Sequence, residues 1–117
     1  MYIYTQGVWR LAFLCMVLVV FPIGLAVTAL SGFGHIISQK GGRYHPEAIS
    51  LHPGERLMIV NDDKDIVHHA YVEASDLTYD SGDQEPGSRA IITFPGRGDF
   101  EVLCGIHPKM KLAVHVQ

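Results

Sequence analysis

The hydrophobic and polar residues of this 117-residue chain follow two different patterns. Residues 11–30 form one uncharged, mostly apolar run of twenty residues, which is long enough to cross a bilayer as a helix. After residue 31 the apolar positions alternate with polar ones in short stretches separated by Gly, Pro, Asn and Asp, and no helical period of useful length occurs. The pattern therefore predicts an apolar N-terminal helix followed by an all-β domain.

The alternating stretches predict at least six strands. They cover residues 48–51, 55–60, 67–73, 90–94, 100–104 and 112–116. The polar stretch 76–87, which ends in Glu-Pro-Gly, is predicted to be a surface connection. Several short strands at this spacing are typical of a β-sandwich or barrel.

The N-terminal run has two interpretations. Residues 27–29 (Val-Thr-Ala) could serve as a signal-peptide cleavage site, whereas the length of the run favours a retained anchor. Residues 1–30 are therefore assigned to a signal peptide or transmembrane anchor, residues 31–42, which are rich in Gly and Ser, to a linker, and residues 43–117 to the β domain. Arg10 precedes the run, so the positive-inside tendency predicts export of the domain to the periplasm or to the outer face of the cytoplasmic membrane.

The charge of the chain argues against nucleic acid as a partner. Residues 31–117 hold 8 Lys and Arg against 12 Asp and Glu, and no basic stripe occurs. The acidic residues between 62 and 85 are predicted to form a solvated face. Cys15 lies inside the apolar run, so Cys104 is the lone thiol of the exported domain. An oxidising compartment normally pairs cysteines, and a lone thiol there indicates another role, such as metal ligation.

Cys104, His107 and Met110 follow one another at intervals of three residues in the segment Cys-Gly-Ile-His-Pro-Lys-Met. For this composition the spacing arises by chance in about four of a thousand sequences. Each residue alone would usually be structural: a buried thiol, a surface imidazole or a core thioether. Together they offer three metal-binding side chains on one loop between two strands, and two His, one Cys and a weak axial Met are the ligands of blue-copper sites. The loop thus predicts a metal site that lacks one histidine.

The second histidine is ambiguous because His68 and His69 are adjacent and point to opposite faces of a strand. An inward His68 brings Ala70 and Val72 inward with it, whereas an inward His69 would bury Glu73. The alternation favours His68, with His69 as the alternative. The remaining histidines are predicted to lie at the surface or at strand edges: His35, His45, His52 and His115.

From about Gln39 to Gln117 the sequence resembles the cupredoxin family, most closely its amicyanin-, pseudoazurin- and plastocyanin-like members, including plastocyanin-like proteins of methylamine utilisation. The resemblance rests on the 104–110 loop and on residues 57–62 (Leu-Met-Ile-Val-Asn-Asp) followed by a histidine. The chain departs from the family in having one more residue after the strand-end Asn, and in lacking the Asn that usually follows the ligand. The resemblance implies a Greek-key β-sandwich and one copper ion, alternating between Cu(I) and Cu(II), with the ligands His68, Cys104, His107 and Met110.

The resemblance also implies a blue copper protein that carries single electrons between larger redox proteins, a donor and an acceptor, and that catalyses no reaction of its own. A copper carrier or chaperone is the alternative, although exposed Met- and His-rich ligands would be expected there and the chain has only 4 Met. A catalytic metal site is a further alternative, and it would keep an open coordination position. The last alternative is a purely structural sandwich that holds no metal. Membrane attachment is expected through residues 11–30 if that run is retained.

Overall fold

The computed structural model describes residues 34–117. The predicted apolar helix within residues 1–30 lies outside this range, and among the described residues no helix is long and apolar enough to span a membrane. The described residues form nine strands and no helix. The strands are β1 (His35–Lys40), β2 (Arg43–His45), β3 (Ala48–Leu51), β4 (Arg56–Asn61), β5 (Ala70–Glu73), β6 (Thr78–Asp80), β7 (Arg89–Thr93), β8 (Gly98–Cys104) and β9 (Lys111–Val116). The all-β prediction is confirmed for this part of the chain.

The strands build two sheets that share one core. The four-stranded sheet has the order β2-β1-β4-β7, and the five-stranded sheet has the order β3-β9-β8-β5-β6. Both sheets are mixed, because β1 pairs with β4 and β3 pairs with β9 in parallel while the other neighbours are antiparallel. Phe94, which follows β7, meets Phe100 of β8 edge to face with ring centroids 5.4 Å apart. Aromatic side chains therefore join the two sheets through the core.

The last two strands follow the predicted alternation. The buried residues of this hairpin are Phe100, Val102, Cys104, Leu112, Val114 and Val116. Gly98 pairs with Val116 at one end of the hairpin, and Leu103 pairs with Lys111 at the other. A period of two places Cys104 on the inward face at this second end. The fold thus positions the thiol at one edge of the core.

Part of the segment predicted as a linker is a strand. Residues 31–42 include β1, which lies between β2 and β4 in its sheet and buries Ile37 and Gln39. The linker prediction is therefore corrected for His35–Lys40, and the β domain includes this strand rather than beginning at residue 43. The strand was missed because one of its two buried side chains is polar, so the apolar alternation is incomplete.

Two further boundaries differ from the sequence-based expectation. The predicted surface connection 76–87 contains β6 and a buried residue, Gln84, with 3% exposure. The strand predicted over 67–73 begins only at Ala70, and His68 forms an isolated bridge with Gln84 instead. His68 and Gln84 pair across a separation of 16 residues, and a local pattern does not report such pairing.

The turn at residues 52–55 lies at the end of the sandwich opposite the 104–110 loop, since Leu51 pairs with Val116. In this turn a carboxylate oxygen of Glu55 accepts a hydrogen bond from the backbone N–H of His52 at 2.8 Å. This bond, together with the neighbouring His52 and His35 side chains, lowers the pKa of Glu55 below its ordinary value. The ionised carboxylate therefore stabilises the turn.

We expect the substitution Glu55→Gln to lower the stability of the metal-free protein in a pH-dependent way. The folded-state pKa of Glu55 is lower than the unfolded value of about 4.3, so its stabilisation is complete above that value and is lost as the pH falls through the folded-state pKa. Denaturant unfolding of both proteins between about pH 3 and pH 7 checks this. A difference in free energy of unfolding that stays constant over this range would contradict the linkage.

Candidate metal centre

Strand β8 delivers Cys104 to the end of the core. Cys104 is the last residue of the strand and 3% of it is exposed. Because β8 and β9 pair as far as Leu103 and Lys111, the chain between them must reverse direction at the end of the sheet. Residues 105–110 therefore form a loop beside the thiol.

The loop brings His107 to the same place. The backbone N–H of Met110 donates to the carbonyl of His107 at 3.0 Å, which closes a turn around Pro108. Nδ1 of His107 lies 3.6 Å from Sγ of Cys104. The imidazole is half-buried, in contrast with the buried thiol. One short loop thus supplies one donor at the core and one at the surface.

His68 reaches the site from the segment between β4 and β5. Its backbone N–H donates to the carbonyl of Gln84 at 3.0 Å, and its own carbonyl accepts from the Gln84 N–H at 2.6 Å. The His68 side chain is fully buried, and its Nε2 lies 2.7 Å from a carboxylate oxygen of Asp63. The other ring nitrogen, Nδ1, is buried and has no hydrogen-bond partner. An unpartnered buried nitrogen is costly unless a ligand uses it.

Asp63 fixes the tautomer of His68. Burial alone would raise the pKa of Asp63, but hydrogen bonds from the Gly41 backbone N–H and from His68 together lower it below its ordinary value. The ionised carboxylate therefore accepts a hydrogen bond from the Nε2–H of His68, which leaves the lone pair on Nδ1. Carboxylates commonly orient metal-binding histidines in this way and make them more basic.

The three side chains form one donor group. A ring nitrogen of each histidine and the Cys104 sulfur lie within 4.8 Å of one another, so the group could hold a metal ion. The two imidazole rings are 4.9 Å apart between centroids and tilted by 52°. Imidazole nitrogens combined with a thiolate suit borderline and soft ions such as zinc and copper. Nδ1 is the His68 nitrogen left free for an ion, because Nε2 meets Asp63, and the residues therefore fit a metal.

No family model matches the chain, and no curated protein matches it. Among solved structures, an oxidized amicyanin variant matches with a TM-score of 0.66 and 14% identity, covering 77% of this chain and 88% of that chain. A reduced Cu(I) form of another amicyanin variant matches with a TM-score of 0.64 and 16% identity, covering 70% and 80%. The Cu-containing nitrite reductase from Thermus scotoductus SA-01 matches with a TM-score of 0.64 and 25% identity, covering 70% of this chain.

The described domain has the cupredoxin fold. The resemblance inferred from the sequence is thereby confirmed for the fold. The chain covers only 22% of the nitrite reductase chain, whereas it covers most of each amicyanin chain. In this cupredoxin domain the donor group lies beside the loop that connects β8 to β9.

His69, the alternative to His68, lies outside the donor group of the cupredoxin domain. Its Nε2 is 2.6 Å from Asp80 and its Nδ1 is 3.1 Å from Asp83. The hydrogen bond to Asp83 raises the pKa of His69, and the Asp80 carboxylate raises it further against the opposing effect of burial. Both ring nitrogens are therefore engaged by carboxylates, which favours the protonated imidazolium. The structure brings together His68, Cys104 and His107.

Met110 is buried at the end of the loop, with 1% of it exposed, and belongs to the same core cluster as Cys104. This position, directly before β9, is compatible with a thioether contact to an ion in the donor group. Its role as a weak axial ligand stays a prediction.

Sequence reasoning missed the residues that hold His68. Asp63 was counted among solvated acids and Gln84 was placed in a surface connection. Asn61 was noted only as the end of a strand, but its side-chain amide donates to the carbonyls of Ile66 and Gln84 at 2.7 and 2.8 Å. Its side-chain oxygen also accepts from the Asp63 backbone N–H at 3.0 Å. Asn61 therefore shapes the turn before His68. Its position at the end of a strand was the one feature of the sequence that could have indicated this role.

Proposed function

We propose that this protein is an exported type 1 (blue) copper protein that carries single electrons between larger redox partners. His68, Cys104, His107 and Met110 are its copper ligands in this proposal. The observation that carries the proposal is the convergence of two imidazoles and one thiol within 4.8 Å, with Nδ1 of His68 buried and unpartnered. The cupredoxin fold supports it, because the matching structures include a Cu(I) amicyanin and a Cu-containing nitrite reductase.

A bound copper ion would supply a one-electron couple between Cu(I) and Cu(II). The chain contributes donors whose positions are fixed before any ion arrives. Asp63 and Gln84 hold His68, and the end of β8 holds Cys104. A fixed and mostly buried donor set changes little in geometry between oxidation states, which favours rapid electron transfer over reaction with a substrate.

The copper carrier, the alternative function, is less well supported. A carrier must release its ion to a partner, so its donors are expected on an accessible surface. Here His68 is fully buried and Cys104 is 3% exposed. His107 alone among the three donors is partly exposed. The burial therefore favours retention of the ion and movement of electrons.

The half-buried His107 lies in an apolar edge of the domain. It lines a shallow cavity of about 370 Å³ together with Gly42, Ile106, Pro108 and Lys109. Ile106 is 46% exposed and lies beside Pro108, so two apolar side chains border His107 at this edge. We infer that a redox partner docks at this edge, because His107 is the one of the three donors that reaches the surface.

The proposed function is tested by the visible spectrum of the purified protein after copper loading and oxidation. Thiolate-to-Cu(II) charge transfer should give an intense absorption band, and electron paramagnetic resonance should show one copper per chain. A fully loaded, oxidised and colourless protein would rule out a type 1 site. Loading with zinc should give a colourless protein and serves as the control.

Reversing the charge beside His107 should slow electron transfer to an acidic partner. Lys111 is paired with Glu101, whereas Lys109 lies at the rim of the cavity, so Lys109→Glu is the sharper variant. We expect a bimolecular rate constant about 2- to 5-fold lower at low ionic strength. The effect should shrink as the Debye length falls from about 30 Å to about 8 Å. Stopped-flow kinetics across salt concentrations measures it.

Arg97→Glu is the matched control, because it makes the same charge change in the turn between β7 and β8, at the opposite end of the sandwich. It should leave the rate constant near that of the wild type. Faster transfer by Lys109→Glu would mean that the partner is basic at this edge. Equal slowing by both variants would mean that net charge matters and that this edge is not the docking site.

Export is the remaining element of the proposal. Residues 11–30 are predicted to carry the domain to the periplasm or to the outer face of the cytoplasmic membrane. We expect the protein to fractionate with membranes if this run is retained and with the soluble exported fraction if it is cleaved near residue 29. Mass spectrometry of the mature N-terminus distinguishes the two. A domain accessible only to cytoplasmic proteases would contradict both.

A further inference from the structure

The donors of the metal centre all lie on or beside the five-stranded sheet. His68 precedes β5, Cys104 ends β8 and His107 lies between β8 and β9. The hairpin formed by β1 and β2 belongs to the other sheet. Its side chains nevertheless cross the interior and contact the segments that carry two of the donors. These contacts are hydrogen bonds, which are directional, whereas the apolar packing between sheets is not.

Tyr44 of β2 reaches the peptide unit that carries Cys104. The Tyr44 side chain is fully buried, and its hydroxyl donates to the carbonyl of Leu103 at 3.1 Å. That carbonyl and the Cys104 backbone N–H belong to one planar peptide group, so a bond to the carbonyl also fixes the orientation of the Cys104 main chain. Burial raises the pKa of Tyr44 well above its ordinary value, so the hydroxyl remains a neutral donor.

Gln39 of β1 reaches the residue that holds His68. Its side-chain amide donates to the side-chain carbonyl of Gln84 at 2.9 Å, and both residues are buried. Gln84 pairs with the His68 backbone in both directions. In the same hairpin the Gly41 backbone N–H donates to one carboxylate oxygen of Asp63 at 3.0 Å, while the other oxygen meets His68. The hairpin thus contacts both residues that orient His68.

We propose that Tyr44 and Gln39 are positioning residues of the metal centre, which fix Cys104 and His68 relative to each other by tying both to one hairpin of the opposite sheet. This inference deepens the proposed copper site and rests on it. Buried hydrogen bonds in a low-dielectric interior resist displacement more than solvated ones. The hairpin therefore limits how far the two donors move apart when the ion or its charge changes.

The test compares Tyr44→Phe with Tyr79→Phe in the full-length chain. Both substitutions remove one hydroxyl and keep the ring. Tyr79 of β6 is half-buried against the core, and its hydroxyl lies near the backbone of Ile91 in the other sheet, so this hydroxyl also stands between the two sheets. Ile91 lies in β7, which is at the opposite edge of its sheet from β2. The control therefore removes a tyrosine hydroxyl between the sheets that does not touch the segment carrying Cys104.

Two measurements report positioning. Competition against a Cu(I) chelator should show roughly 10-fold weaker copper binding by Tyr44→Phe, the lower end of the effect of removing a group that orients a ligand. The charge-transfer band should shift in the same variant. In the metal-free protein, hydrogen exchange at the Cys104 amide should be about tenfold faster, as for the loss of one buried hydrogen bond. Tyr79→Phe should match the wild type in all three.

The inference would be overturned if Tyr44→Phe kept the copper affinity, the band position and the Cys104 exchange rate of the wild type. A lower unfolding temperature alone would then show that Tyr44 is merely structural. If the wild type lacks the blue band, the proposed function fails, while the metal-free exchange still decides whether the hairpin orders Cys104. If Tyr44→Phe does not fold, Gln39→Met replaces it, and exchange at the His68 amide is measured. Unchanged exchange there would overturn the inference equally.

Discussion

Cys104→Ser is expected to abolish the intense visible absorption of the oxidised, copper-loaded protein. The band requires a thiolate bound to Cu(II), and a serine hydroxyl stays protonated where a cysteine thiol ionises. Cys104 is the free cysteine of the described domain, so no other thiol there can replace it. The measurement is an absorption spectrum at full copper loading, with copper counted independently. The other cysteine of the sequence provides the control, and Cys15→Ser should keep the full band.

The same variant should remain folded without metal. Cys104 is buried at the end of β8, where a serine hydroxyl would lose water without gaining an assured partner, so the free energy of unfolding should fall by about 1–3 kcal/mol. The other buried side chains of the core, such as Leu57, Phe94 and Leu112, are unchanged in this variant. Denaturant unfolding of both metal-free proteins measures the loss. A variant that cannot fold even without metal would make Cys104 a structural residue, and a variant that stays blue would place the copper elsewhere.

The parts of this fold that the sequence predicts are those governed by local pattern. Cys104 could be placed on the inward face of β8 because the side chains of a strand alternate with a period of two. His107 and Met110 follow in the same loop, so their proximity to Cys104 needs no tertiary information. The structure places all three at the predicted end of the hairpin.

The parts that escaped prediction are polar residues with distant partners. Gln39 is fully buried in β1, and its amide finds a partner in Gln84, which lies 45 residues away. Before that partner is known, a Gly- and Ser-rich segment with a glutamine has the composition of a linker. Asp63 is a similar case, since its role depends on His68 and on the Gly41 backbone N–H. Long-range hydrogen bonds leave no periodic trace in a sequence.

The choice between His68 and His69 depends both on the local pattern and on a distant hydrogen-bond partner. Alternation favoured His68 from the sequence, but the predicted strand over 67–73 does not extend so far, since β5 begins at Ala70. His68 is instead held inward by its backbone pairing with Gln84. The carboxylates of Asp80 and Asp83 hold His69 on the other side. The inward placement expected of His68 is found, but through a bridge rather than through a continuous strand.

The adjacent histidines therefore form a matched pair of variants with opposite expected results. His68→Ala removes a donor of the proposed site and leaves the Asp63 carboxylate without its imidazole partner. We expect it to lose the blue band and to weaken copper binding at least about 100-fold, since removal of orienting groups alone costs 10- to 100-fold. His69→Ala removes contacts to two exposed carboxylates, which contribute little to stability, and should keep the band.

Absorption spectra and copper affinities of the two variants decide the assignment, and metal-free unfolding shows whether both remain folded. Added imidazole strengthens the comparison, because a small ligand can enter the space left by His68→Ala and restore part of the band. Added imidazole should not change the band of His69→Ala, because this variant is expected to keep it. If His69→Ala were colourless and His68→Ala blue, the ligand would come from the side chain that Asp80 and Asp83 now engage. The segment between β4 and β5 would then have to shift its register by one residue when copper binds. This shift would break the pairing of His68 with Gln84.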